Sequence, residues 1–328
     1  VAVEECAEDT KGQTCYICME AVHRRTGEGL VRGCACGDRD GVASGTTGIA
    51  HVSCLAEQAK ILCDEAEENN LDAKVFYERW MRWDGCSLCK QHYHGVVKCA
   101  LGWACWKTYV GRPEADETRR SAMRQVANGL SAAYYHEDAL TVEKAQLSTL
   151  RRHGALESDI LGAQGNLAIT YQALGRFEEA LQMKWDVYTG YLKLHGEQYG
   201  ATLIAANNYA WGLVTLERFD EAKSLMRKSI RVARRALGEN VETTLRMRWI
   251  YAKALYGDPC ATLTDLREAV MALEDAERIA RRVLGGAHPT AVGIEHVLRE
   301  ARETLAAREG NDVSSVCDGV AAMTPGGA

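Results

Sequence analysis

Apolar residues recur at three-to-four spacing in two stretches of the N-terminal third. The first runs Leu55, Ala59, Leu62, Ala66 and then Leu71, Val75, Arg79, with acidic residues between them. It predicts one helix up to Trp83, or two helices broken at Asn69 and Asn70. The second stretch, from about Gly95 to Tyr109, is apolar nearly all round and ends before Gly111, Arg112 and Pro113, which supply a stop. From Cys15 to Cys54 no such period exists. That segment is rich in Gly, Thr and short polar runs, and the stretch from Gly37 to Gly48 reads as irregular coil. A segment without an apolar face has no core of its own, so something else must hold it. Residues 1–14 are polar and read as a flexible lead-in, and 15–112 as one domain.

Beyond residue 112 the pattern repeats. Asn166-Leu167-Ala168 returns as Asn208-Tyr209-Ala210, Phe177-Glu178-Glu179-Ala180 as Phe219-Asp220-Glu221-Ala222, and Gly196-Glu197 as Gly238-Glu239, every offset being 42 residues. A third copy begins at Ile250-Tyr251-Ala252, but its Leu284-Gly285 lies 47 residues after Leu237-Gly238, so about five residues are inserted near Tyr256 to Thr262. An earlier copy begins at His136-Glu137-Asp138-Ala139-Leu140. Each unit reads as helix, tight turn, helix, and such a period is the mark of a solenoid whose stacked neighbours supply the core. Ala168, Tyr171 and Ala180 sit where a helical hairpin needs small residues for close approach and one aromatic to fill the gap. With N-L-A, G-R-F-E-E-A and L-G-E in register, the array resembles tetratricopeptide repeats of the kinesin light chain subclass. About four repeats are predicted over 113–290, a capping helix over 291–308 and a disordered tail over 309–328. The predicted fold is therefore mainly α: a small irregular metal-bound domain followed by an α-solenoid of helical hairpins.

Composition sharpens this division. A chain of 328 residues that is 47% hydrophobic can build two cores, yet eleven of its thirteen cysteines precede residue 106. Clustered cysteines mean disulfides in an oxidising compartment or metal in a reducing one, and paired C-x-x-C spacing favours metal. The most apolar stretch, Val96 to Trp106, is too short to span a bilayer and carries Lys98. No membrane insertion is expected, and a soluble, intracellular, cytoplasmic protein is. The net charge of −6 comes from residues 1–118, which hold 13 Lys plus Arg against 19 Asp plus Glu, while the remainder balances at 26 against 26. An acidic metal domain argues against nucleic acid as the main partner, since phosphate binding needs a basic footprint.

Four close pairs of ligand-type residues stand in order: Cys15 with Cys18, Cys34 with Cys36, His51 with Cys54, and Cys86 with Cys89. A close pair lets two donors from one tight turn meet one ion, and zinc takes four N or S donors in a tetrahedron. Eight donors predict two Zn2+. Four cysteines, a histidine and three cysteines, carried by C-Y-I-C-M-E, C-A-C, A-H-V-S-C-L and W-D-G-C-S-L-C-K, resemble the RING-variant (RING-CH) family. That resemblance implies interleaving: Cys15, Cys18, His51 and Cys54 on one zinc, Cys34, Cys36, Cys86 and Cys89 on the other. The intervals from Cys36 to His51 and from Cys54 to Cys86 are longer than that family usually has. A PHD finger shares the ligand order, but its usual Trp stands two residues before the seventh ligand, whereas Trp83 stands three before. His92, His94, Cys99 and Cys105 form a weaker constellation, because the helix carrying the two cysteines is apolar all round. Cys99 and Cys105 read better as small core residues, and Cys63 and His23 as bystanders.

RING-type domains transfer ubiquitin without a nucleophile, by holding a charged conjugating enzyme in a reactive pose. The resemblance implies contact with a ubiquitin-conjugating enzyme through Ile17, between the first two ligands, and Lys90, directly after the last. Trp80 and Trp83 are candidates for the aromatic contact, with core filling as the competing role. Alignment to the repeat puts Asn207, Trp211, Arg246, Trp249 and Lys253 on the peptide groove, where they suit a protein or peptide ligand that is acidic with an aromatic anchor; the two tryptophans also suit packing between hairpins. Paired arginines at 151–152, 234–235 and 281–282 fall near the ends of second helices, where cations favour the helix dipole. Two functions follow: a soluble ubiquitin ligase whose repeats choose the substrate, or a non-enzymatic, zinc-stapled adaptor.

Overall fold

The structure, a computed structural model, describes residues 1–36 and 48–322, with side chains through Gly310. The coil expected from Gly37 to Gly48 lies, save for Gly48, outside the described residues. The chain is mainly helical, with a cysteine-rich irregular module ahead of an α-solenoid, and it divides into two compact units, Val1–Gly190 and Tyr191–Ala328.

In the first unit a short helix α1 (Ala2–Glu5) precedes strands β1 (Val31–Arg32) and β2 (Ile49–Ala50), which pair antiparallel with Val31 opposite Ala50. Two residues per strand cannot stabilise a ribbon alone. Leu30, Val31, Ile49, Leu55, Tyr93, Val97 and Leu101 pack with six buried cysteines into the core of this module. The first residues are not a free lead-in: Ala2 and Val3 pack on that core, and Cys6 is buried with its thiol on the Arg32 carbonyl at 3.7 Å. The apolar face of Ala2, Val3 and Cys6 is too small to read as an amphipathic helix, yet a cysteine-rich core leaves room for it.

Helix α2 (Val52–Glu68) begins where Glu28 reaches across to accept hydrogen bonds from the Ser53 backbone N–H (2.6 Å) and hydroxyl (2.8 Å), placing a carboxylate at the positive helix end. The chain then breaks at Asn69 and Asn70, Asn70 taking a left-handed φ of 48°. Helix α3 (Ala73–Trp80) restarts on Asp72, whose carboxylate caps the N–H groups of Lys74 and Val75 at 2.9 and 3.0 Å. Of the two arrangements open to the sequence, the broken pair is the one adopted.

Helix α4 (Gly95–Tyr109) is apolar nearly all round because it is covered on three sides. Val97 and Leu101 enter the cysteine core, Cys105 and Tyr109 join Ala59, Cys63, Trp80 and Trp83 in a second cluster, and Cys99 meets Val126 and Leu130 of α5 (Glu117–Ala132). The approach of α4 to α5 is set by two glycines. A Cβ at Gly102 would lie 2.6 Å from the Gln125 carbonyl oxygen, and one at Gly129 would lie 2.8 Å from Cys99 Cα. Helices α6 (His136–Arg152), α7 (Glu157–Ala173) and α8 (Phe177–His195) continue the hairpins.

The second unit stacks α9 (Gly200–Thr215), α10 (Phe219–Ala236), α11 (Glu242–Tyr256), α12 (Leu263–Leu284) and α13 (Pro289–Ala322). The repeat is written in the backbone as well as in the side chains: left-handed φ values fall at Gly154, Gly196 and Gly238 after second helices, and at Tyr134, Gly175 and Glu217 after first helices. Tyr134 and Glu217 accept roughly 1 kcal/mol of strain there. The inserted residues form the longer connection from Gly257 to Thr262, closed by Lys223 with Asp258 (2.8 Å) and by a Thr262 and Asp265 capping box. The last helix differs from expectation. It runs to Ala322 rather than ending at residue 308, with Arg267 of α12 holding Glu309 at 2.8 Å, and no proline interrupts it before Pro325.

Candidate metal centres and the repeat surface

Each C-x-x-C segment folds as the same turn. Cys15 N–H bonds to the Glu20 carbonyl (3.0 Å) and Met19 N–H to the Cys15 carbonyl (2.9 Å); Cys86 N–H bonds to the Gln91 carbonyl (2.9 Å) and Lys90 N–H to that of Cys86 (2.9 Å). Met19 and Lys90, directly after the second cysteine of each pair, both take φ of 62°. This knuckle brings two thiols of one turn to the same point. His51 is the N-cap of α2 and Cys54 lies in its first turn, so that pair is carried by a helix start.

The side chains gather in two groups. Cys15, Cys18, His51 and Cys54 form one, Cys34, Cys36, Cys86 and Cys89 the other, and within each group the donor atoms all lie within 4.8 Å of one another. His51 Nδ1 faces Cys18 Sγ at 3.4 Å and Cys54 Sγ at 3.6 Å, and Cys36 Sγ lies 3.6 Å from Cys86 Sγ. Either group can hold a metal ion. Without a cation the second group must share protons: hydrogen bonds from Cys34, Cys36 and Cys89 hold the Cys86 thiol far below its ordinary range, and those with Cys36, Cys86 and Cys89 push Cys34 far above it. In the first group burial pushes Cys54 up to about 12.

Three supports escape a reading of the sequence. Gly48 lies against the second group so closely that a Cβ would sit 2.8 Å from Cys34 Sγ and 3.1 Å from Cys86 Sγ. Asp84, two residues before Cys86, is clamped by His92 (2.6 Å) and Lys98 (3.0 Å); burial acts to raise its pKa, but these partners bring it down to about 2. Tyr16 and Ser87 hydroxyls meet at 2.9 Å, joining the two knuckles side by side. The sequence hint of these contacts is that Gly48, Asp84, Tyr16 and Ser87 each lie within three residues of a metal-ligand type.

Of the residues predicted to meet a conjugating enzyme, Lys90 is exposed and Ile17 half-buried, on adjacent knuckles. Trp80 and Trp83 are not there. They are 4% and 2% exposed, with ring centroids 5.5 and 5.9 Å from that of Tyr109, because α3 and the turn after it close the second cluster. Cys63, Cys99 and Cys105 are likewise buried outside both donor groups.

In the repeats, Arg246 is exposed, Trp211, Trp249 and Lys253 are half-buried, and Asn207 is buried. The Trp211 and Trp249 rings lie 6.4 Å apart, and Trp249 is seated on α13, where a Cβ at Gly293 would come within 2.4 Å of its ring. Those rings therefore pack between first helices. Asn207 Oδ1 and Trp249 Nε1 are buried without a hydrogen-bond partner among the described residues. Lys253 faces Tyr256 and, at 3.9 Å, Glu300. The paired arginines do fall in the last turns of α6, α10 and α12. No described helix is long and apolar enough to cross a membrane.

Residues 159–247, from the start of α7 into α11, match the family model of the tetratricopeptide repeat. No curated protein matches the chain. Among solved structures, the chain is similar to a Podosopora anserina putative kinesin light chain with nearly identical TPR-like repeats. Identity is 18%, coverage 71% of this chain and 97% of that one, and the TM-score 0.41. It is similar also to BtubC (BKLC) from P. vanneervenii, at 12% identity over 80% of this chain and 93% of that one, with a TM-score of 0.41.

Proposed function

We propose that this protein is a two-zinc, RING-variant-type ubiquitin ligase whose zinc module recruits a ubiquitin-conjugating enzyme and whose repeats recruit a protein substrate. Tetratricopeptide repeats bind proteins, and that broader role rests on the repeat match itself. Zinc fits the donor sets. With Zn–S near 2.3 Å and Zn–N near 2.05 Å, a tetrahedron has S to S edges of about 3.8 Å and N to S edges of about 3.6 Å. The gaps of 3.6 Å between Cys36 and Cys86, and of 3.4 and 3.6 Å around His51 Nδ1, are close to those edges and far from the S–S bond of a disulfide. Seven thiolates and an imidazole also match zinc's preference for soft donors. The ions would staple the module and take no part in bond making.

The observation that carries the ligase reading is the hydrogen bond of Tyr16 to Ser87, which sets the two knuckles side by side. Ile17 then stands next to the turn carrying exposed Leu88 and Lys90, an apolar contact beside a cation. Such a surface holds a conjugating enzyme and orients its thioester-linked ubiquitin, which is catalysis by positioning. In the repeats, exposed Arg246 and half-buried Lys253, on either side of Trp249 on α11, offer positive charge to an acidic substrate segment.

A second reading, the zinc-stapled adaptor without enzymatic activity, is favoured by the burial of Trp80 and Trp83, which removes the aromatic contact from the conjugating-enzyme surface. Autoubiquitination with a panel of conjugating enzymes separates the two, with metal counted by native mass spectrometry. The ligase reading expects transfer by the wild type and loss of it in Ile17→Ala and Lys90→Ala while two zinc ions stay bound. Inactivity of the fully metallated chain across the panel sinks it in favour of the adaptor. Cys18→Ser and Cys54→Ser are expected to lose the same single ion, and Cys36→Ser and Cys89→Ser the other.

A further inference from the structure

A cleft of 860 Å³ opens in the second unit between α10 and α12, floored by α11. It lies between second helices, away from the residues proposed above to meet a substrate, and within the size range of clefts that hold ligands. Five arginines line it against two carboxylates, Glu268 and Asp275.

Most of these charges are already matched. Arg267 pairs with Glu309 at 2.8 Å and Arg234 with Glu239 at 3.3 Å. Both lining carboxylates are engaged too: Tyr251 hydroxyl donates to Glu268 at 2.7 Å, and Asp275 is shared by Arg248 and Arg278. Three guanidinium groups remain with capacity. Arg227 and Arg231, one turn apart on α10, are exposed and make no ion pair among the described residues. Each is nevertheless held in place, Arg227 Nε donating to Tyr251 hydroxyl at 2.8 Å and Arg231 Nε to the Arg227 carbonyl at 3.1 Å. Like charges at this spacing cost a helix a few tenths of a kcal/mol, so the row does not serve α10 itself.

Arg248 supplies the decisive group. It lines the cleft floor at 5% exposure, with Nη2 on Asp275 (2.5 Å) and on the Ala272 carbonyl (3.2 Å), while its Nη1 is buried without a partner among the described residues. A buried charged donor left unsatisfied is costly, and an anion entering the cleft relieves that cost. Beside the arginines, Met271 is 69% exposed and Ile230 forms part of the wall, so the cleft offers an apolar contact next to its cationic floor.

We propose that the cleft between α10 and α12 binds an acidic peptide segment, with a carboxylate side chain on Arg248, Arg227 and Arg231 and an adjacent apolar side chain on Met271 and Ile230. A peptide is favoured over nucleic acid because acids stand among the arginines. Glu268 and Asp275 line this cleft, and Asp220 and Asp265 line the depression that continues it along α10. Such alternation suits discrete carboxylates and repels a continuous phosphate chain. The site goes beyond the ligase reading and is independent of it.

The test is fluorescence anisotropy of the full chain with a labelled Asp- and Glu-rich peptide carrying one central Leu. Binding is expected to weaken as salt rises. Arg231→Glu, on an exposed side chain with no packing role, is expected to weaken it roughly tenfold or more, Arg231→Lys far less. Met271→Ser is expected to weaken binding while leaving its salt dependence unchanged. Thermal melts of each variant, expected to match the wild type, separate lost binding from lost fold. Two results overturn the proposal: wild-type affinity in correctly folded Arg231→Glu, or displacement of the peptide by a single-stranded oligonucleotide of equal charge at lower concentration.

Discussion

The packing of α4 on α5 makes a quantitative prediction. Gly102 of α4 faces Gln125 and Val126, and Gly129 of α5 faces Lys98 and Cys99, so the helices run antiparallel with the two glycines about one turn apart along the contact. At Gly102 an alanine Cβ would meet Gln125 O at 2.6 Å, Gln125 C at 3.0 Å and Val126 Cα at 3.0 Å, all backbone atoms that cannot rotate away. Contact between carbon atoms is comfortable at about 3.5 to 4.0 Å, so the helices must part by about an ångström. Overpacking of this kind costs roughly 1 to 3 kcal/mol, the upper end suiting a clash with backbone. Against it stands the helix propensity of Ala over Gly, about 1 kcal/mol. Gly102→Ala and Gly129→Ala are each expected to destabilise the pair by about 2 kcal/mol. Once one methyl has parted the helices, the second meets less resistance and still gains its propensity, so the double variant costs less than the sum. Hydrogen exchange of the α4 and α5 amides reads this locally, because about 2 kcal/mol is close to a thirtyfold faster opening. Unchanged or slower exchange in either single variant, or strict additivity in the double, refutes the reasoning.

Two further expectations concern buried groups. Trp83→Ala empties part of the cluster formed with Tyr109, Cys63 and Cys105 and is expected to cost about 3 to 5 kcal/mol, seen as a lowered melting temperature; an unchanged melt with loss of ubiquitin transfer alone would return Trp83 to the contact surface. Glu143 is 2% exposed, accepts a hydrogen bond from Thr170 at 3.0 Å, and is raised by burial from 4.5 to about 7. A carboxyl whose folded pKa is raised binds its proton better in the fold, so its contribution is complete below pH 4.5 and is lost as pH rises to about 7, by about 3 kcal/mol at most. Glu143→Gln is expected to melt higher than wild type at pH 8 and to lose this part of the pH dependence; melts between pH 6 and 8 that fall equally in both proteins would exclude Glu143 as the source.

What the chain shows openly and what it conceals follow from the range of the interactions involved. The hairpins are legible because each repeats the same local pattern: Ala180 and Ala222, one period apart, are both buried, and the left-handed turn at Gly175 recurs at Glu217. The donor residues are legible because metal chemistry narrows the residue type to Cys and His and the turn narrows the spacing. Concealment begins where a residue's role depends on a neighbour distant in sequence. For Trp83 the sequence favours core filling but leaves an enzyme contact open until Tyr109, twenty-six positions on, is brought against it. The nearly all-round apolar character of α4 signals that the helix is covered, but not which separate surfaces cover it. Gly102 carries no signal of its own, since only α5 makes a side chain there costly. The arginines of α10 show the same limit within one helix. Arg234 and Arg235 stand in the last turn, where the dipole accounts for them from sequence alone. Arg227 and Arg231 stand mid-helix, out of reach of the dipole, and they line a cleft together with Arg248 and Asp275, contributed by α11 and α12. A charge that its own helix does not explain is thus the one worth following across the interface.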